Sequence, residues 1–199
     1  MSRACSLFAP VAMSVVALAG SPSAPSRSTA LLRHVLARLD DGVVRSEIAV
    51  RDLPPAALVR ADFDDPAIRH ACDQVAAARV VVIATPIYKA SFSGLLKSFL
   101  DLLPQDALRG KTVLALGTGG SAAHFLALDY ALKPVLAALG ARHILDSVYA
   151  VDTQFVPHAV HGHVAHDDVA RRIERALAAA PVALRAPAAT PARPVALVA

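Results

Sequence analysis

A cluster of hydroxyl groups and one guanidinium lies between residues 21 and 29. This stretch, SPSAPSRST, contains four serines, one threonine and Arg27. A helical spacing of leucines and valine begins at residue 31, so several backbone N–H groups of the stretch fall near a helix N-terminus. Hydroxyls, a guanidinium and the positive end of a helix dipole together suit a phosphate. An ordinary helix cap is the alternative, because serine and threonine are common capping residues.

Two later turns carry a different chemistry. Residues 85–94 present Pro86, Ile87 and Tyr88, which are flat and apolar, as a wall for a planar ring, and Gly94 allows close approach of a backbone. Residues 118–120 offer unobstructed N–H groups for the polar edge of such a ring. Each turn alone is more often purely structural, but phosphate site, wall and edge together predict a flavin mononucleotide (FMN) site.

Short apolar runs precede all three turns, at residues 15–19, 80–84 and 112–116. Such runs are typical of strands buried on both faces, and residues 45–50 and 144–150 add two more strands. Their alternation with helices predicts an α/β fold, with a doubly wound, five-stranded parallel sheet and helices on both faces. Ligands bind at the carboxyl ends of such strands, so the three turns should meet in one crevice. Helices are predicted at residues 31–39, 67–78, 95–103 and 122–139.

Pro134 interrupts the helix predicted at residues 122–139. It has no N–H, so the carbonyl of Tyr130 loses its helical partner, and a kink or a π-bulge is expected. A kinked helix with a buried ring is the simpler alternative to a functional Tyr130.

Composition and charge exclude several classes of protein. The net charge is +4, but the arginines are scattered and aromatics make up 5% of the chain, so a nucleic-acid stacking platform is not expected. The sequence contains no apolar run of membrane-spanning length. Cys5 and Cys72 form no CxxC motif, which predicts neither a disulfide framework nor a zinc site, and Cys72 is expected to pack as a small hydrophobe in a helix.

A histidine cluster near residue 160 raises the question of a metal. It lies beside Pro157 and Gly162, and no carboxylate-backed helix fixes it, so we expect no metal and favour a solvated or interface loop. The histidines are His158, His161, His163 and His166.

The two ends of the chain differ from its middle. Residues 1–13 are predicted to be an N-terminal extension, 14–180 one domain, and 181–199 a disordered tail rich in alanine and proline. Arg3 and the apolar residues after it also fit a secretory signal. We favour a cytoplasmic protein, because Pro10 splits that apolar stretch and residues 15–19 are needed as the first strand.

Several motifs in order resemble the NADPH-dependent FMN reductase family of flavodoxin-like proteins, particularly reductases that supply reduced flavin to alkanesulfonate monooxygenases. They are GSPSAPSRST, ATPIYKASFSGLLKSFLDLLP and LALGTGGSAAHFLALDYALKPVLAALGA. The similarity covers about residues 15–150 and, more weakly, continues to about 179. It implies hydride transfer from NADPH to FMN by alignment of the two rings, with no catalytic general acid. It also implies a homodimer or homotetramer and, as partner, a flavin-dependent monooxygenase of sulfur assimilation.

The resemblance also assigns site residues. Tyr130 falls near the flavin and a subunit contact. For the hydride transfer itself, Lys89 or Lys97 is a candidate for the NADPH phosphate or for the charge at the ring edge, although a lysine on a helix face is usually only solvated. An FMN-retaining quinone, azo-dye or chromate reductase and a non-enzymatic electron carrier stay open as alternatives, as does NADH in place of NADPH. The implied flavin contacts are Ser21, Arg27, Ser28 and Thr29 at the phosphate, Pro86, Ile87, Tyr88, Lys89, Ser91 and Gly94 at the ring, and Thr118, Gly119 and Gly120 at its pyrimidine side.

Overall fold

The computed structural model describes residues 13–159 and 162–180, so the predicted extension (apart from Met13), the tail, Cys5 and His161 lie outside the described residues. Its strands are β1 (Ser14–Ala19), β2 (Val44–Ala49), β3 (Val80–Tyr88), β4 (Ser91–Phe92), β5 (Thr112–Gly119), β6 (His143–Ile144), β7 (Val148–Val151), β8 (Phe155–His158) and β9 (Gly162–Ala165). Its α-helices are α1 (Arg27–Leu36), α2 (Pro55–Arg60), α3 (Pro66–Ala77), α4 (Gly94–Leu100), α5 (Lys133–Ala138) and α6 (Asp167–Ala178).

The main sheet has the order β2-β1-β3-β5-β6, and these strands are all parallel. Strand β7 also pairs with β5, further along it than β6, and β8 and β9 form a separate antiparallel hairpin. The chain crosses over between β2 and β3 to opposite sides of β1, so the predicted doubly wound α/β arrangement is confirmed.

Side chains of the central strands alternate between two apolar cores. In β1, Val16 and Leu18 pack with α3, α4 and α5, whereas Val15, Ala17 and Ala19 pack with α1 and α6. This alternation follows from the period of two in a strand, and it shows that helices cover both faces of the sheet, as predicted.

The fifth strand position is filled by two short strands, so the single strand predicted at residues 144–150 is wrong in detail. Val113 pairs with Ile144, and Leu116 pairs with Val148. Between these two pairs, the segment from β6 to β7 has one more residue than the matching segment of β5. Such an extra residue is a β-bulge. Because of it, Leu145 and Val148 both enter the core beside α6, which regular alternation would not allow.

Strands β3 and β5 extend beyond the apolar runs that predicted them, which ended at residues 84 and 116. The long turn predicted at residues 85–94 is therefore wrong. Strand β3 continues to Tyr88 and pairs antiparallel with β4, which gives the backbone beyond residue 84 a hydrogen-bonding partner. Lys89 and Ala90 form the connection, with φ of +50° and +62°. Two-residue hairpin turns with positive φ usually use Asn and Gly, so the sequence did not signal this hairpin.

The helix predicted at residues 122–139 is also divided. It consists of a 3₁₀ turn at Ala122–His124, a π-helical turn at Leu128–Leu132, and α5. The Lys133 N–H bonds to the carbonyl of Leu128, five residues earlier. The π-bulge predicted from Pro134 is therefore confirmed.

Two smaller predictions concern Cys72 and the membrane. Cys72 lies in α3, packs against the core, and burial raises the pKa of its thiol, as expected of a small hydrophobe. Within residues 13–159 and 162–180, no helix is long and apolar enough for a bilayer crossing.

Candidate functional site

A cleft of about 320 Å³ opens beyond the carboxyl ends of β1, β3 and β5. Its volume is at the lower end of the range for small-molecule sites, and its position is the one at which doubly wound sheets bind ligands. The sequence predicted part of its lining, namely Ser21, Arg27, Pro86, Ile87, Tyr88, Thr118, Gly119 and Gly120. Ser23, Pro25, Ser26 and Asp152 also line it and were not predicted.

One end of the cleft is the turn at residues 21–29, which we call the phosphate cradle. Ser26 caps α1, and its side chain bonds to the Ser28 hydroxyl at 2.8 Å and accepts from the Thr29 N–H at 3.5 Å. Ser28 and Thr29 are buried in the first turn of α1 and do not line the cleft, unlike Ser21 and Arg27. The predicted phosphate contacts thus divide into two that face the cleft and two that build the turn beneath it.

The phosphate cradle retains hydrogen-bonding capacity. Arg27 Nε and Thr29 Oγ1 are both buried, and neither has a hydrogen-bond partner among the described residues. Buried polar atoms are nearly always paired in folded proteins, so Arg27 Nε, on a residue that lines the cleft, fits a site that takes an anionic group.

Ser93 joins the phosphate cradle to the second turn, and its role was not predicted. Its buried hydroxyl donates to the carbonyl of Gly20 and accepts from the Leu96 N–H at 3.1 Å. Its own N–H donates to Thr85 Oγ1 at 3.0 Å. The only sequence signal was a serine directly before a helix, where it acts as the N-cap of α4.

Pro86, Ile87 and Tyr88 form the apolar side of the cleft, which we call the ring wall. Ile87 is buried, whereas Tyr88 is 51% exposed, so part of this wall faces solvent. An exposed aromatic surface beside a cleft suits stacking with a planar ligand.

The remaining residues predicted at the ring, Lys89, Ser91 and Gly94, do not line the cleft. Lys89 lies in the turn between β3 and β4, Ser91 is in β4, and Gly94 begins α4. A Cβ on Gly94 would meet no atom of the described residues within 4 Å, so no neighbouring part of the protein requires a glycine here, and its predicted role of letting the backbone approach a planar ring stays a prediction.

Residues 118–120 form the other end of the cleft, which we call the edge turn. The turn predicted here is shorter than expected, because Thr118 and Gly119 still belong to β5 and pair with β7. A Cβ on Gly119 would collide with the Tyr149 hydroxyl, which donates to the Ser121 carbonyl at 2.7 Å. Burial raises the pKa of the Tyr149 phenol, and Asp152 adds to this effect. At Gly120, a Cβ would meet only Asp152 Oδ2, at 3.8 Å, so space beside this residue stays open.

Asp152 is the acidic residue of the cleft. Its Oδ2 lies 3.5 Å from Arg27 Nη1, and both side chains are about two-fifths exposed, at 43% and 40%. An exposed pair of this kind adds little stability. The sequence did not indicate Asp152, because it follows the fifth strand and no glycine-rich or hydroxyl-rich turn marks its position.

Tyr130 and the lysines lie outside the cleft lining. Tyr130 is 78% exposed on the π-helical turn, which packs against β4. Lys97 pairs with Asp101, and Lys133 pairs with Asp129, each on its own helical surface.

The histidines belong to another part of the molecule. His158 and His163 are in the β8–β9 hairpin, and His166 precedes α6. The His163 and Phe155 rings pack edge to face, with their centroids 6.5 Å apart. The described residues contain no group of three or more His, Cys, Asp or Glu side chains that could hold a metal ion.

A parallel α/β sheet of this order, with a phosphate-suited helix N-terminus and an apolar wall at its carboxyl edge, defines a flavodoxin-like flavin-binding protein. Residues 13–156 match the model of the NADPH-dependent FMN reductase family. The chain belongs to this family, and it is an NAD(P)H-dependent FMN reductase that uses FMN and NADPH.

The individual relatives agree with this assignment. The chain is 48% identical over 145 residues to "FMN reductase (NADPH)" of Escherichia coli K12, covering 72% of this chain and 76% of the relative. It is 51% identical over 143 residues to the protein of the same name from Pseudomonas putida KT2440, covering 71% and 73%. The apo crystal structure of the NADH:FMN oxidoreductase EmoB is similar with a TM-score of 0.72 and 45% identity, covering 82% of this chain and 86% of that one.

Proposed function

We propose that the cleft holds FMN with its phosphate in the phosphate cradle, its ring on the ring wall and its pyrimidine side at the edge turn. Support comes from one observation: segments remote in sequence line a single cleft, and at its cradle end the buried Arg27 Nε has no hydrogen-bond partner among the described residues. Ser21 and Arg27 contact the phosphate directly, whereas Ser28 and Thr29 hold the turn. Lys89 and Ser91 act through the shape of the hairpin that carries the ring wall, and Gly94 lies just beyond that hairpin at the start of α4.

The protein contributes alignment and electrostatics. The flavin ring supplies the acceptor for a hydride from the reduced nicotinamide. Tyr88, half exposed at the ring wall, offers a surface against which the rings are positioned, and the N–H groups of the edge turn stabilise negative charge. Tyr149 donates its proton to a carbonyl in a hydrogen bond, so it orders the edge turn and we assign it no acid catalysis.

Steady-state turnover with NADPH and with NADH tests this function, using FMN, FAD and riboflavin as acceptors. We expect NADPH to be preferred, and FMN to be preferred over riboflavin because only FMN carries the phosphate. Equal turnover of FMN and riboflavin would contradict the phosphate cradle.

We further propose that FMN is an exchangeable substrate, which agrees with an open cleft whose ring wall faces solvent. NADPH oxidation should then require added FMN and should release reduced flavin under anaerobic conditions. A yellow protein that keeps its flavin through gel filtration and shows ping-pong kinetics with a quinone or azo dye would support the retained-FMN alternative. Tight binding without nicotinamide oxidation would support an electron carrier.

We propose that the released flavin serves a separate flavin-dependent monooxygenase of sulfur assimilation in the cytoplasm, as the sequence resemblance implies. A coupled assay tests this: an alkanesulfonate monooxygenase, the reductase, NADPH and FMN should release sulfite from an alkanesulfonate. Reduced flavin without sulfite release would contradict this partner.

We also propose that Tyr130 contributes to a contact between copies of the chain. Phe125, Leu126 and Tyr130 are large apolar or aromatic side chains, all exposed and close together in sequence around the π-helical turn. Such a concentration of exposed apolar surface is typical of an interface. Light scattering should show a dimer or tetramer for the wild type and a smaller species for Tyr130→Ala, with exposed Phe63→Ala as the control.

A further inference from the structure

Asp152 is unexpected in a cleft that suits a phosphate. Among the described residues that line this cleft, Arg27 carries the positive charge and Asp152 the negative. The two side chains form an ion pair across the cleft, from the first turn of α1 to the turn that follows β7. A phosphate that approaches Arg27 therefore encounters a carboxylate already paired with it.

Hydrogen bonds to neighbouring segments, including α6, fix the position of the turn that carries Asp152. Asp152 begins a 3₁₀ turn, and Gln154 of that turn accepts from the Val151 N–H at 2.9 Å. Gln154 Nε2 donates to Asp168 Oδ2 at 2.6 Å, and Arg172 donates to the Tyr149 carbonyl at 2.6 Å. The turn is thus anchored to α6, and its backbone is held so that residue 152 lies at the cleft.

We propose that Asp152 weakens the binding of the FMN phosphate and thereby keeps FMN exchangeable. The inference rests on the proposed placement of the phosphate in the cradle at residues 21–29. Two effects act in the same direction: Asp152 competes with the phosphate for Arg27, and its carboxylate repels the phosphate dianion. Asp152 is a specificity-determining residue in this role, because riboflavin, which lacks the phosphate, is not subject to either effect.

Asp152→Asn tests the proposal, because asparagine keeps the shape of the side chain and removes its charge. Titration of the purified full-length protein, followed by quenching of flavin fluorescence, should give a Kd for FMN about tenfold lower than that of the wild type. The Kd for riboflavin should change by less than about twofold. The difference in FMN affinity should shrink between about 0.05 M and about 0.5 M salt, because salt screens exposed charges.

A matched control is Asp106→Asn. Asp106 pairs with Arg109 at 3.9 Å and is also exposed. It precedes β5, so it lies towards the amino ends of the strands, whereas the cleft lies at their carboxyl ends. The Asp106→Asn substitution removes the same charge from the protein as Asp152→Asn does. An FMN affinity equal to that of the wild type would therefore show that the effect of Asp152 is local.

Three results would overturn the inference. An unchanged FMN affinity in Asp152→Asn would show that the carboxylate does not compete. A weaker FMN affinity with normal riboflavin binding would show that Asp152 positions Arg27 for the phosphate. Equal affinities of Asp152→Asn for FMN and riboflavin would overturn the phosphate placement itself, and with it both proposals.

Discussion

The two ends of the cleft are built in different ways. At the phosphate cradle, the buried Ser93 and Thr85 tie the first and second turns together through hydrogen bonds that solvent does not reach. At the edge turn, Gly120 has open space beside it and the nearest charge is the partly exposed Asp152. The comparison indicates that buried hydrogen bonds fix the phosphate cradle, whereas the edge turn is more open and lies beside a carboxylate that pairs with Arg27 at the other end of the cleft.

The largest effect should come from Arg27→Ala, which removes the cation of the phosphate cradle. Hydrogen bonds to charged groups contribute about 1.5–3 kcal/mol, so we expect the KM for FMN to rise about 10- to 100-fold. The KM for riboflavin should stay near its wild-type value in steady-state assays. Arg33→Ala is the control, because Arg33 lies on the same helix and pairs with Glu47 at the surface. An equal rise for both flavins would show that Arg27 acts on the ring or on the fold.

Ser93→Ala should have the next largest effect, this time on stability. It removes the N-cap of α4 and leaves the buried Gly20 carbonyl without the hydroxyl donor, so we expect a loss of about 2 kcal/mol in the free energy of unfolding. Urea unfolding measures this loss. Ser98→Ala is matched to it, because the exposed Ser98 hydroxyl bonds to the Gly94 carbonyl within the same helix. Equal, small losses in both variants would contradict the role of Ser93.

At the edge turn, Tyr149→Phe should cost less, about 1 kcal/mol, because one hydrogen bond to the Ser121 carbonyl is lost. The pKa of Tyr149 is raised above its usual value of 10.0, so the folded protein holds the proton more tightly than the unfolded chain. This contribution is full below pH 10 and is lost as the pH rises through the raised pKa. Urea unfolding at pH 8 and at higher pH should therefore show a shrinking difference between wild type and variant, and a constant difference would contradict this account.

The smallest effect should be a gain in stability from Ala90→Gly in the hairpin that carries the ring wall. Ala90 has φ of +62°, which glycine adopts without strain, so we expect the free energy of unfolding to rise by about 0.5–1 kcal/mol. Ala170→Gly is the opposite control, because residue 170 is helical and glycine there should destabilise by a similar amount. Thermal unfolding of both variants measures the difference, and a loss in Ala90→Gly would show that the turn is not strained.

The sequence predicted the parts of the fold that depend on local patterns. Continuous apolar runs located β1, β3 and β5, and Pro134 located the π-helical turn, because a missing N–H acts within one turn of helix. The sequence also placed the phosphate cradle, ring wall and edge turn together, because each follows a predicted strand and the carboxyl ends of parallel strands lie at the same edge of a sheet.

Other features depend on contacts that no local pattern records. Ser93 bonds to Gly20, which is distant in sequence, and Asp152 meets Arg27 only because β7 lies beside β5. The bulge before Val148 allows both Leu145 and Val148 to pack in the core beside α6. The β3–β4 hairpin forms without the usual turn residues. Such features arise from tertiary packing, which overrides local propensity.

The bonds of Ser93 have a consequence for how the protein moves. Because one hydroxyl joins the segment after β1 to the start of α4, the phosphate cradle cannot shift away from α4 without breaking buried hydrogen bonds. Gly20 reinforces this constraint, since even a Cβ there would lie 2.8 Å from that of Leu96. The proposed exchange of ligand then uses the solvent-facing side of the cleft near Tyr88 and Gly120 and needs no movement of the phosphate cradle. The amide hydrogens of Ser93 and Leu96 should exchange with solvent only when the whole domain unfolds.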